Sequence, residues 1–225
     1  EQLTSGEPRM EVVRLMTKYP QGGERQLIYA VTKRAINSSM LPADVGCVVD
    51  NVETIIHIYD AVVNGRPCID RVVTVSGDGI AEPGNFKVPL GINQQELIKA
   101  AGGLKGSPEK VISGGPMMGF AMFTLDVPVT KTSSSILCLT KDEVAMYEPS
   151  ACINCGRCID ACPSRLIPSR LADYAERHDE AAFEKEFGVE CMECGSCSYV
   201  CPAKRQLKQA ISSMRKTVLA NRKKK

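Results

Sequence analysis

Two copies of one cysteine pattern stand in the last third of the chain. The first is Cys152, Cys155, Cys158 and Cys162, followed by Pro163; the second is Cys191, Cys194, Cys197 and Cys201, followed by Pro202. Each reads C-x2-C-x2-C-x3-C-P, the run by which bacterial two-cluster ferredoxins hold iron–sulfur clusters. The pattern limits the fold strongly, because three thiols so close in sequence must wrap one inorganic body. The fourth thiol lies too far round the turn and reaches the neighbouring body instead. Two [4Fe–4S] clusters are therefore expected. One takes Cys152, Cys155, Cys158 and Cys201; the other takes Cys191, Cys194, Cys197 and Cys162.

Other uses of these cysteines suit the pattern less well. Structural zinc is usually held by two separated pairs of ligands. A disulfide framework belongs to secreted chains, and the sequence shows no signal peptide. The remaining cysteines, Cys47, Cys68 and Cys138, share no ligand spacing and read as small buried apolar residues. His57 and His178 are isolated and are given no ligand role.

The 225 residues suggest one or two domains, and no apolar run approaches the roughly 18 residues of a membrane span. The net charge of +2 conceals an asymmetry. Residues 151–225 carry 14 basic and 9 acidic side chains, whereas the preceding residues carry 14 and 17. Much of the basic excess is in the tail, at Arg215, Lys216, Arg222, Lys223, Lys224 and Lys225. Such a tail is read as a solvated end, with anionic lipid or an acidic partner as the alternative. No nucleic-acid motif accompanies it. The chain opens at Glu1, close to an apolar run, which reads as an N-terminal truncation.

Residues 10–64 alternate as an α/β unit does. Strands are expected at Glu11–Met16 and Val45–Val49. A helix is expected after Gly22 and Gly23, with Leu27, Ile28 and Val31 on one face. A second helix carries Val52, Ile55, Ile56, Tyr59 and Val63 and ends at Asn64–Gly65. Residues 70–147 change to strands at Val72–Val75, Asn85–Leu90, Lys110–Ile112, Val127–Val129 and Ile136–Leu139, with a helix at Gln94–Ala101. That order, with glycine-rich corners, suggests a small β-grasp module. Gly114–Gly119 lacks the lysine–serine/threonine ending of a phosphate loop and reads as a structural turn. Residues 148–225 are expected to be helical around two cluster loops, with helices in Leu171–Arg177, Asp179–Phe187 and from Lys204 to about Asn221.

Several stretches together resemble the C subunit of the Rnf electron transport complex: Lys18–Glu24, Leu41–Gly46, Val73–Asp78, Gly114–Gly119 and both cysteine runs. The same layout occurs in the flavoprotein subunit of respiratory complex I and in the cobalamin reductase of propanediol utilisation. The resemblance implies an α+β multidomain chain: a partial α/β flavoprotein-type domain (1–68), a β-grasp, soluble-ligand-binding module (69–147) and an α-helical ferredoxin-like domain (148–225). It also implies flavin contacts. Tyr19, Gly22 and Glu24 match a Tyr-x-x-Gly-x-Glu stretch that lies against FMN and nicotinamide in the complex I relative, and Asn51 and Thr54 match its Asn-x-x-Thr. Gly23 and Asp50 depart from that relative, which has glutamate and asparagine there. The glycine-rich loop that cradles the flavin phosphate in this family would precede Glu1, so FMN is expected to bind only with an upstream segment.

What the resemblance implies is an electron-transfer subunit, peripheral on the cytoplasmic face of the cell membrane. It would relay electrons between NADH/FMN and ferredoxin through two clusters, inside a complex that translocates ions. Other subunits, ferredoxin and, for the full-length protein, NADH are the expected partners. A cobalamin reductase and a non-catalytic docking module are the alternatives, and the fragment alone is not expected to be catalytic.

Overall fold

The computed structural model describes residues 6–223; Lys224 and Lys225 of the basic tail, and Glu1, lie outside the described residues. Within them the chain is a mixed α+β structure built around one five-stranded sheet and a separate helical core. No helix among the described residues is long and apolar enough to cross a membrane.

The segment before residue 70 carries helices α1 (Glu24–Thr32) and α2 (Val52–Val63), with a 3-10 turn at Pro42–Val45. The helices were expected; the expected strands do not form. Neither 11–16 nor 45–49 is extended in a sheet, and Val48 is 86% exposed. A strand needs a partner for its backbone donors and acceptors, and the first described strand begins only at Asp70. The expected apolar face of α1 buries Ile28 alone, and Val31 stays exposed. In α2 the apolar face of Val52, Ile55, Ile56, Tyr59 and Val63 is likewise exposed. What holds α2 is polar. Asn51 caps it by accepting from the Glu53 amide, and Glu53 accepts from the Val72 amide at 2.6 Å and pairs with Arg71.

Strands β1 (Asp70–Ser76), β2 (Gly84–Pro89), β3 (Lys110–Ser113), β4 (Phe120–Ala121) and β5 (Ser135–Leu139) form the sheet in the order β2-β1-β5-β3-β4. Only the β1–β5 pair is parallel; the others are antiparallel. Alternation decides what is buried. Val73 and Val75 point into the core and Val72 faces out, so α3 (Gln94–Ala100) can lay Leu97 and Ile98 on the same face. The expected strand at 127–129 is an isolated bridge, Asn93 to Pro128, because Pro128 has no amide to continue a ladder. Strand β4 is too short to show in the sequence. Cys138 is buried in this core as expected, whereas Cys47 and Cys68 are only half-buried.

The last unit has α4 (Arg157–Asp160), α5 (Pro168–Glu176), α6 (Glu180–Lys185), α7 (Ser196–Tyr199) and α8 (Leu207–Arg222). Leu207, Ile211, Met214 and Val218 fall on one face of α8 and pack with Leu171, Ala172 and Phe183. Full burial of Phe183 contributes about 1.5–3 kcal/mol. The short helices α4 and α7, unforeseen in the sequence, each rise out of a cysteine run and lie against one another.

Two thiol-lined hollows and the segment beside them

The two runs fold alike, residue for residue. Asn154 and Glu193, each just before the second cysteine, take left-handed backbone at φ 53° and 58°. Gly156 and Gly195 follow at φ 77° and 82° and start α4 and α7. Past the fourth cysteine and its proline, Arg165 and Lys204 are again left-handed, and their amides close back on the carbonyls of Cys162 and Cys201. The x2 spacings thus turn the chain so that three thiols face one space, while the short helix carries the fourth away.

The fourth thiol crosses to the other run. Cys152, Cys155, Cys158 and Cys201 line one hollow, and Cys162, Cys191, Cys194 and Cys197 line the second. Among the described residues no group of three or more His, Cys, Asp or Glu side chains is placed to hold a single metal ion. Tetrahedral zinc, with Zn–S bonds of about 2.3 Å, would draw its sulfurs to about 3.8 Å of one another. Four thiol donors lining each hollow are the donor set that a [4Fe–4S] cubane takes.

The hollows differ in setting. Cys152 and Cys155 are exposed, as is Ile153 between them. Cys194 and Cys197 are buried at 7% and 8% exposure. Burial pushes the Cys191 thiol up to about 11 and the Cys197 thiol up to about 12, and raises Cys162 as well. Backbone amides already point at this site: Leu166 donates to the Cys162 sulfur at 3.3 Å and Glu193 to the Cys191 sulfur at 3.4 Å. Glu193 is anchored in turn by α8, accepting from Ser212 Oγ at 2.6 Å and Arg215 at 2.9 Å. We call the buried hollow the inner site and the other the outer site.

The segment before residue 40 docks on the inner site's loop. Tyr19 donates to the Cys194 carbonyl at 2.7 Å. Glu190, next to Cys191, accepts from the Ser38 amide at 2.8 Å, from the Ser38 hydroxyl, and from Arg25 at 3.0 Å. Sequence reasoning missed Glu190, Ser38 and Arg25, because ordinary polar residues more than 150 positions apart carry no local signal.

The five residues matched to flavin contacts are only partly brought together. Tyr19, Gly22 and Glu24 share the turn into α1. Asn51 and Thr54 start α2, where the Asn51 side chain is occupied as the helix cap. Tyr19 and Gln21 line a cavity with Cys162, Ser196 and Tyr199, but Glu24, Asn51 and Thr54 do not reach it. Among the described residues, Tyr19 alone of the five lines that cavity. The buried amide oxygens of Gln21 and Gln26, both on that cavity's wall, have no hydrogen-bond partner.

Comparison with known proteins matches three segments. Residues 1–60 match the Nuo51 FMN-binding domain, 72–121 the SLBB domain, and 151–205 the 4Fe-4S dicluster domain. The C subunit of the Na(+)-translocating ferredoxin:NAD(+) oxidoreductase complex of Acetobacterium woodii is 45% identical over 216 residues, 96% of this chain and 49% of that protein. The C subunit of the proton-translocating ferredoxin:NAD(+) oxidoreductase complex of Clostridium ljungdahlii is 49% identical over 181 residues, 80% of this chain and 40% of that protein. The C subunit of the ion-translocating oxidoreductase complex of Yersinia enterocolitica is 39% identical over 179 residues, 78% of this chain and 26% of that protein. The chain spans about half the length, or less, of these relatives.

Proposed function

The chain belongs to the family of C subunits of ion-translocating oxidoreductase complexes, and from that premise we propose that it is the cluster-bearing half of an electron-transfer subunit. The single observation that carries the reading is the sorting of eight cysteines into two hollows of four, each taking three thiols from one run and one from the other.

In this reading Cys152, Cys155, Cys158 and Cys201 hold one [4Fe–4S] cluster and Cys162, Cys191, Cys194 and Cys197 hold the second. When bound, such clusters accept and release single electrons. The protein's own part is to fix eight thiolates, to aim the Leu166 and Glu193 amides at two of the sulfurs, and to bury one site while leaving the other open. N–H···S contacts and burial are the means by which a protein sets cluster potentials. The open site suits exchange with a redox partner, and the inner one faces the segment matched to an FMN-binding domain.

Three units are proposed: a partial flavoprotein-type segment at 1–68, a β-grasp module at 69–147 and a helical ferredoxin-like unit at 148–225. The parallel β1–β5 pair flanked by the β1–β2 hairpin supports the second. FMN is proposed only for a longer protein that completes the site around Tyr19, Gly22, Glu24, Asn51 and Thr54. The same holds for NADH oxidation, ferredoxin as partner, ion translocation by the assembled complex, and a peripheral place on the cytoplasmic face of the membrane.

Anaerobic reconstitution of the chain, followed by iron and sulfide analysis, tests the reading. About eight of each per chain, with a reducible EPR signal, is expected for two cubanes. A single cubane, or stoichiometric zinc in their place, overturns it.

A further inference from the structure

The Gly114–Gly119 loop, on the sheet module, has no part in that reading. It leaves β3 and returns at β4 in a fold too tight for side chains at its ends. Gly114 stands at φ 98° with its amide bonded to the Ser135 carbonyl, and the Gly119 amide closes on the Gly115 carbonyl at 2.7 Å. A Cβ on Gly119 would fall 2.5 Å from Ile112 Cγ2 and 2.6 Å from the Gly115 oxygen, closer than any real contact. The loop is therefore fixed by its own backbone, and what it fixes is Met117.

Met117 is half-buried, whereas Gly115, Pro116 and Met118 beside it are exposed. It meets the inner site's loop. A Cβ on Gly195 would lie 3.2 Å from the Met117 carbonyl oxygen and 3.6 Å from Met117 Cε. Gly195 directly follows Cys194 and opens α7, which carries Cys197. Met117 also lines the cavity shared by Tyr19, Cys162 and Ser196. The thioether thus stands beside the turn between two inner thiols, on the side where that cavity reaches Cys162. The equivalent turn of the outer run, at Gly156, has nothing within 4 Å of such a Cβ. The two runs share one backbone geometry, so this difference comes from the loop.

We propose that the Gly114–Gly119 loop is a positioning element for the inner cluster site: Met117 packs on the Gly195 turn, holds the Cys194–Cys197 stretch and keeps water from it. This rests on the reading that Cys162, Cys191, Cys194 and Cys197 hold a cluster. Solvent exposure is one of the terms that set cluster potential, so removing the seal acts on one cluster and not the other. Met117 is not part of the buried core of the sheet, and its truncation leaves the module folded.

The test uses the anaerobically reconstituted chain, with Met117→Ala as the variant, Met117→Leu as the rescue and the outer cluster as internal control. The two EPR signals are assigned with Cys162→Ala and Cys201→Ala chains. Met117→Ala is expected to retain both clusters under argon, to lose the inner one several-fold faster in air and to shift its midpoint potential, with the outer one unmoved. Met117→Leu is expected to restore both properties. If the unmodified chain holds two cubanes and Met117→Ala alters both equally, or neither, the loop has no such role. If the unmodified chain holds no cubane at the inner site, the underlying reading falls as well.

Discussion

The Tyr19 hydroxyl and the Cys194 carbonyl, 175 residues apart in sequence, are joined by a 2.7 Å hydrogen bond. The bond ties the turn that resembles a flavin contact to the loop that presents an inner thiol. The Tyr19 side chain is about half exposed, yet desolvation at its hydroxyl, with Cys194 nearby, raises its phenol above the ordinary value. It is thus a donor under all ordinary conditions.

Tyr19→Phe removes this donor and little else. A hydrogen bond of this kind contributes about 0.5–1.5 kcal/mol, so local opening of residues 18–26 should rise about five-fold for a loss near 1 kcal/mol. Hydrogen exchange measures it. Cluster content should stay the same, since no thiol is touched. An unchanged exchange rate in that stretch would show that the bond does not hold the segment in solution.

Glu190 carries the second tie. Its carboxylate takes two hydrogen bonds from Ser38 and an ion pair from Arg25, with both charged side chains about one-quarter exposed. Charge-assisted bonds contribute about 1.5–3 kcal/mol when buried, and partial exposure lowers that. Glu190→Ala should therefore loosen residues 33–38 more than Tyr19→Phe loosens 18–26. Faster proteolysis in 33–38, with the helical unit still intact, is the expected outcome.

Two thiols of the inner site give the iron-free chain a pH dependence of known sign. Cys191 and Cys197 are raised from 9.0 to about 11 and about 12, burial being the main cause. The folded iron-free chain therefore binds these protons more tightly than the unfolded one. Below pH 9 both states are protonated and stability does not change on their account. From pH 9 upward the unfolded state ionises first, and stability falls until the folded thiols ionise too. The limit is about 1.4 kcal/mol per thiol for each pH unit. Urea unfolding of iron-free protein followed at the helical unit should show a lower midpoint at pH 10 than at pH 8, and Cys197→Ser should flatten the difference.

The sequence made some of this legible and hid the rest for physical reasons. The cysteine runs declare themselves because ligand geometry is local: Asn154, Gly156 and their counterparts Glu193 and Gly195 shape each loop within a few residues. The strands around Val73, Val111 and Ile136 are legible by alternation, since each has a neighbour to bury against. The same apolar character at 11–16 and 45–49 misleads, because pattern states what a segment could pair with and not whether the partner is present. Asn51 shows the ambiguity at a single residue. It reads as a ligand contact by resemblance and serves here as the cap of α2. The docking of Met117, Tyr19 and Ser38 on one loop is long-range and leaves no trace in spacing.

The crossing of the fourth cysteines gives the sharpest test of the site. Cys162 sits with Cys191, Cys194 and Cys197, and Cys201 with Cys152, Cys155 and Cys158. Cys162→Ala should therefore damage the cluster of the second run, although Cys162 belongs to the first, and Cys201→Ala should do the reverse. Each variant keeps three thiols at the affected site, so the expected product there is a cluster lacking one iron, or none, beside one intact cubane. Iron content and EPR of both variants decide it, each serving as control for the other. The Cys162 variant also leaves the Leu166 amide without its sulfur acceptor, so its damaged cluster should decay faster than that of Cys201→Ala. Damage confined to the mutated run's own cluster in both variants would mean that the fourth thiols do not cross.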